Sequence, residues 1–325
     1  MGHYLTLNQD SLEKFRIRFA RTGFEEIFPV RITSGYDSST FLIGSTISVL
    51  KPFLQSIGAI DGGLFLVQDV VRTHPLSLHG AISSPLKYGS FWTSCGALAP
   101  PNQLCVLLST SIQYVNHDLG IPSSDIVARA SSRDDILLSA LKELDCDIKT
   151  EIDTENSDYY RHSFGLRGVW GQNVNLAVRI RGTDEFIEFA SVILINQGAN
   201  ALAVEVSLSP SALWSFWLGF NNTYAAAPIA DYISLHSEHM LRIADCLCVI
   251  GVLDLEGVKP SSSNISGRLI RQYLRSLQRL YRSRSEIGVS CIESAYRCFG
   301  LEYFKAELAL NPLLKRTQSQ NVQSK

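Results

Sequence analysis

Arg268, Arg271, Arg275, Arg279 and Arg282 recur at intervals of three and four residues, which at about 100° per residue gathers them within an arc of roughly 80° on one helix. The other side of the same stretch carries Ile270, Tyr273, Leu274, Leu277, Leu280 and Tyr281, the i, i+3, i+4, i+7 pattern of a helix docked on a core. The chain is thereby committed to a surface helix with arginines outward and a packed core beneath it. Between Arg268 and Arg282 no Glu or Asp stands at i+4 to neutralise the stripe. Either the arginines pair with carboxylates elsewhere in the fold, or they face RNA or another polyanion whose phosphates supply the missing charge. The formal net charge is −2 and 46% of residues are hydrophobic, so any nucleic-acid affinity belongs to this local patch rather than to the whole chain.

From Leu241 the chain reads LRIADCLCVIGVLDLEGVKPSSSNISGRLIRQYLRSLQRLYRS, in order a long helix, a break at Gly257, a serine-rich loop and the basic helix. Ile243-Ala244-Asp245, eleven residues, Gly257-Val258-Lys259-Pro260-Ser261, then Gly267, Arg271 and Arg275 together resemble the segment that follows the catalytic domain in the alanyl-tRNA synthetase family. Cys246 stands where that family usually has His, and the Ser261 to Ser266 loop is one residue longer. The resemblance implies an α+β fold, a class II synthetase-like antiparallel sheet flanked by helices, followed by a helical domain of the acceptor-stem-recognition kind. The expected layout is a catalytic domain over 1–232, the helical domain over 233–315 and a disordered tail over 316–325. It also implies a tRNA acceptor stem or other polyanion as partner, met by Asn264 in the loop and by Arg268, Arg271, Arg275, Arg279 and Arg282.

Earlier segments extend the resemblance. Lys51-Pro52-Phe53-Leu54 follows the hydrophobic Phe41 to Val49 stretch like the end of the family's first motif. The Gly63 to Val71 run ends in Val70-Val71-Arg72, similar to the family's C-I-R, whose arginine binds the α-phosphate of ATP. A permanently charged, bidentate guanidinium suits that task, so Arg72 is the candidate ATP contact and catalytic residue. Gly89-Ser90-Phe91-Trp92 is placed like the family's H-T-F-F, whose aromatic ring stacks on adenine; Phe91 or Trp92 would do so here, unless both are ordinary strand packing. Glu188-Phe189-Ala190-Ser191 stands for E-I-W-N, keeping the acid Glu188 as a candidate catalytic residue and placing Ser191 in the substrate pocket. Aligned through Gly219, the third motif D-T-G-M-G-L-E-R becomes Ser215-Phe216-Trp217-Leu218-Gly219-Phe220-Asn221-Asn222, so Ser215 and Asn222 replace the charged groups that hold the substrate amine and the phosphates. The cofactors implied are ATP and Mg2+, with no structural metal.

Three functions follow: a ligase that activates a small carboxylic acid or amino acid other than alanine, a tRNA-binding or regulatory pseudo-synthetase, or a scaffold that has lost both ligands. No apolar run reaches the length of a membrane span and no signal-peptide pattern opens the chain. Seven cysteines without paired C-x-x-C motifs point to reduced thiols and a cytoplasmic protein. The sequence leaves open both a monomer and a homo-oligomer. Periodicity predicts helices over Ser11 to Arg21 and Asp134 to Leu144. It predicts strands over Gly63 to Val71, Gln103 to Leu108, Val174 to Ile180, Glu185 to Ile195 and Ala201 to Leu208, and a polar loop over Asp145 to Ser157.

Overall fold

The computed structural model describes residues 2–72, 85–283 and 297–298, with the backbone alone for 281–283. The chain opens with helix α1 (His3–Arg21), which buries Phe15 and Phe19 one turn apart. Strands β1 (Phe24–Glu26), β2 (Gly63–Val71) and β3 (Phe91–Ala99) follow, then α2 (Leu104–Gln113), β4 (Ile126–Ser131), α3 (Asp135–Lys142), β5 (Lys149–Asp153) and β6 (Arg161–Ser163). A long meander of β7 (Val169–Arg179), β8 (Phe186–Gln197) and β9 (Asn200–Leu208) leads into α4 (Pro210–Trp217), α5 (Glu238–Leu255) and α6 (Ile265–Ser283).

The strands join in one nine-stranded sheet in the order β1-β2-β3-β9-β8-β7-β4-β5, with β6 beside β7. Every pairing from β2 to β4 is antiparallel, and only the two edges, β1 with β2 and β4 with β5, are parallel. This is the expected α+β arrangement, a mainly antiparallel sheet flanked by helices. On one face, Phe15, Phe19, Leu107, Leu137, Leu213 and Phe216 of α1 to α4 pack against Val174, Val204 and Val206. On the other, Ile43, Val49, Leu50 and Leu54 cover Leu64, Leu66, Leu98, Ile193 and Ile195. The middle strands are therefore apolar toward both sides. A third cluster joins α5 and α6 to Ile32, Leu42, Val71 and Tyr224, so the helical pair is packed into the body that precedes it.

Two sequence expectations change. Gln103 to Leu108 is not a strand: Pro101–Gln103 is a single 3-10 turn and α2 begins at Leu104. Leu104, Leu107, Leu108, Ser111 and Ile112 are buried, a helical stripe that a run of five apolar residues, Leu104 to Leu108, cannot distinguish from a buried strand. Asp145 to Ser157 is not all loop, because Lys149–Asp153 pairs with β4 from Val127 to Ser131, and its alternating charges disguise an edge strand. The 316–325 tail lies outside the described residues. No helix among the described residues is long and apolar enough to cross a membrane.

Candidate functional site

A cleft of about 740 Å3 opens over the sheet face of β3, β9 and β8 and is walled by Ser45, Ser48, Lys51, Arg72, Tyr88, Tyr159 and His162. Arg72 directly follows β2, and its backbone N–H donates to Ser90 O at 2.8 Å. Its Nε donates to Gly89 O at 3.2 Å. The guanidinium carbon sits 4.8 Å from the Trp92 ring centroid and 6.0 Å from that of Tyr88, a stacked cation in a partly desolvated place. Burial pulls its pKa down from the usual value, opposed by Tyr88, Tyr224 and Asp245.

What holds this corner is Asp245 of α5. Its carboxylate, fully buried, accepts from Ser90 N at 2.6 Å, Ser90 Oγ at 2.9 Å and Tyr224 Oη at 2.6 Å. Gly89 is needed at the same corner, because a Cβ there would lie 2.4 Å from the Tyr224 ring.

The opposite wall is acidic and polar. Glu188 Oε2 accepts from Tyr159 Oη at 2.5 Å, and burial together with this bond drives the Tyr159 pKa up. Ser191 Oγ donates to Asn175 Oδ1 at 2.7 Å. Asn173 Nδ2 reaches the same oxygen, and Asn173 Oδ1 lies 3.0 Å from His162 Nε2. Desolvation lowers the His162 pKa, so the ring is neutral at pH 7. Lys51 is committed to Asp37 Oδ2 at 2.7 Å in a nearly buried ion pair. Glu205 lines the floor, and burial pushes its carboxyl up to about 8.

The structure therefore brings together Arg72, Trp92, Glu188 and Ser191. Phe91 points the other way, as strand alternation requires of Trp92's neighbour, and packs against the α5–α6 cluster. Ser215 and Asn222 do not line the cleft. Ser215 is buried in α4, its Oγ accepting from Ala226 N at 2.9 Å, and Asn222 Oδ1 accepts from Tyr224 N at 3.1 Å. Gly219, the anchor of that alignment, ends α4 at φ +95°, whereas the strand that enters this helix is β9. Ser215 thus braces the segment after its helix, and Asn222 braces the turn that leads to Tyr224.

Along α6 Ile270, Tyr273, Leu274, Leu277 and Leu280 are buried as expected, with Leu269 beside them, and the side chain of Tyr281 lies outside the described residues. Arg268, Arg275 and Arg279 are exposed and Arg271 half-buried, and none of the four forms an ion pair with a carboxylate among the described residues. The side chain of Arg282 lies outside the described residues. Asn264 is the helix cap, its Oδ1 accepting from Gly267 N at 2.6 Å. Gly267 admits the loop: a Cβ there would lie 2.7 Å from Ser261 Cβ and 3.0 Å from Lys259 O.

Sequence reasoning misses Asp245, Tyr159 and Glu205 as site residues. Asp245 is visible only as part of the Ile243-Ala244-Asp245 match, and nothing in the sequence ties it to Ser90. No group of three or more His, Cys, Asp or Glu side chains able to hold a metal ion occurs among the described residues.

No protein-family model and no curated protein matches the chain. Similar solved structures are class II aminoacyl-tRNA synthetases. They include a pyrrolysyl-tRNA synthetase from Desulfitobacterium hafniense, at 13% identity over 70% of this chain and 73% of that one with a TM-score of 0.42. S. aureus histidyl-tRNA synthetase matches at 8% identity over 64% and 68%, with a TM-score of 0.43. A putative threonyl-tRNA synthetase from Aeropyrum pernix matches at 11% identity over 76% and 68%, with a TM-score of 0.42. At these TM-scores the likeness is remote, and the chemistry of the cleft rests on its own residues.

Proposed function

We propose that the cleft binds ATP and a small carboxylic acid or amino acid, as the site of an adenylate-forming ligase of the alanyl-tRNA synthetase kind with an altered substrate. The observation that carries this is Arg72, held at the end of β2 with its guanidinium stacked on Trp92 and fixed by Gly89 O. A cation preorganised by its neighbours stabilises developing phosphate charge without reorganising at the moment of reaction, and an indole beside it offers a surface for a purine. Across the cleft, Glu188 is the carboxylate available to a substrate amine or hydroxyl, and Ser191 stands beside it on β8. The residues fit the nucleotide; among the described ones no group of three or more His, Cys, Asp or Glu side chains could hold a metal ion by itself.

Calorimetry with ATP tests this, followed by pyrophosphate exchange across a panel of acids. Arg72→Ala should weaken ATP binding by about 1.5–3 kcal/mol, the range for a charged hydrogen bond. No ATP binding by the unmodified protein at millimolar concentration would refute the ligase.

A second function, RNA binding without catalysis, is favoured by the contrast in free charge. Among the described residues the cleft offers one cation not committed to a carboxylate, Arg72, whereas α6 presents Arg268, Arg271, Arg275 and Arg279 without acidic partners. Binding of tRNA should then weaken steeply with salt, and the double substitution Arg271→Ala, Arg275→Ala should reduce the log-log salt slope by about one to two units. Binding that ignores salt would exclude it.

A further inference from the structure

Glu205 stands on β9 between Leu98 of β3 and Ile193 of β8 and is only 1% exposed. Its Oε2 has no hydrogen-bond partner among the described residues, yet the side chain lines the cleft. An unpartnered buried carboxyl destabilises the fold that carries it, and such groups persist where a ligand meets them. The charged side chain acting on Glu205 is Lys51, whose ammonium is already bound by Asp37 and Ser39, each at 2.7 Å. Nearby polar groups on the same sheet face are uncharged: Thr46 Oγ1 and Ser94 Oγ each lie 3.2 Å from Ser207 Oγ. A ligand cation brought here would meet Lys51 and the apolar flanks of Leu98 and Ile193, an arrangement that penalises full charge. A neutral carboxyl instead offers one O–H donor beside a carbonyl acceptor. Its complement is a group presenting N–H beside C=O.

We propose that Glu205 is a specificity-determining residue of the cleft, receiving the far end of the carboxylic-acid ligand through the paired donor and acceptor of a carboxamide. This rests on the assignment of the cleft as an acid-binding site with ATP at Arg72. Burial, which raises the carboxyl to about 8, keeps it in the neutral form this pairing uses at pH 7.

Calorimetry on the full chain with ATP present tests it, using malonamic, succinamic and glutaramic acids against ω-amino acids of matched length. One amide should bind about 10-fold or more tighter than its matched amine. Glu205→Gln, which keeps both a donor and an acceptor, should retain that preference, and Glu205→Leu should abolish it. Glu205→Leu should also melt at a higher temperature, since it removes an unpartnered acid from between two apolar residues; a lower melting temperature would mean a structural role and overturn the assignment. Equal binding of amides and amines, or binding of neither, with Arg72-dependent ATP binding intact, overturns the Glu205 assignment alone. Preference for the amines with proton release does the same, making Glu205 a cation site. Failure of ATP itself to bind removes both this assignment and the ligase.

Discussion

Replacing Asp245 by Ala tests how the cleft is held in shape. The carboxylate is fully buried and receives three donors, Ser90 N at 2.6 Å, Ser90 Oγ at 2.9 Å and Tyr224 Oη at 2.6 Å. Each donor left without an acceptor costs about 1–3 kcal/mol, and relief of the acid's own desolvation offsets part of the sum, so a net loss near the low end, about 3 kcal/mol, is expected. At about 2.1 cal/mol/K of unfolding entropy per residue, that is a fall in melting temperature of about 4–5 °C for 325 residues, read by circular dichroism and cross-checked by urea unfolding. A second readout separates positioning from mere stability. Ser90 O accepts the Arg72 N–H at 2.8 Å and Gly89 O accepts its Nε at 3.2 Å, so loosening this turn displaces the guanidinium and should weaken ATP binding below the unfolding temperature. An Asp245→Ala protein that melts within about 2 °C of the parent, or that binds ATP equally well, would show that the three donors find other acceptors.

Glycine to alanine within a helix ordinarily stabilises by up to about 1 kcal/mol. Gly267→Ala should do the opposite, destabilising by about 1–3 kcal/mol in denaturant titration, because its methyl would lie 2.7 Å from Ser261 Cβ and 3.0 Å from Lys259 O. Glu205 gives a pH signature: its pKa rises from an ordinary 4.5 to about 8 on folding. Between those values the folded chain keeps a proton that the unfolded chain has released, so stability falls as pH rises through the window, by about 1.4 kcal/mol per unit from this group. The difference in unfolding free energy between parent and Glu205→Gln should carry that slope, and a difference constant from pH 5 to 8 would refute the burial of an unpaired acid.

Periodicity alone makes the α6 stripe legible in the sequence, because a face that must be apolar and a face that must be charged leave a 3.6-residue signature. The bounds of β2, β8 and β9 are nearly as readable from apolar runs ended by turn residues, whereas β7 begins at Val169, five residues before the expected Val174. Glu205 is not. Ala203-Val204-Glu205-Val206-Ser207 alternates apolar with polar and reads as a strand wetted on one side, but both sides of β9 are covered, one by α1 to α4 and the other by Leu50, Leu54 and their neighbours. The third motif fails for a different reason. A single glycine anchors it, and Gly219 serves equally well to end a helix as to begin a phosphate-facing turn. Asp245 lies 155 residues from Ser90, a separation over which one sequence carries no pairing signal.

The strand order has a consequence for how the molecule is made. β9 sits between β3 and β8, so during synthesis the first three strands and the β4, β5, β7 and β8 group are two separate sheets with open edges until Leu208 has emerged. Arg72 and Trp92 belong to the first piece, Glu188 and Ser191 to the second. Emergence of β9 is thus the step that joins the two walls, with α5 still to follow before Asp245 can fix the Arg72 corner, and a chain stalled before β9 carries two exposed strand edges, each a template for pairing with another nascent copy.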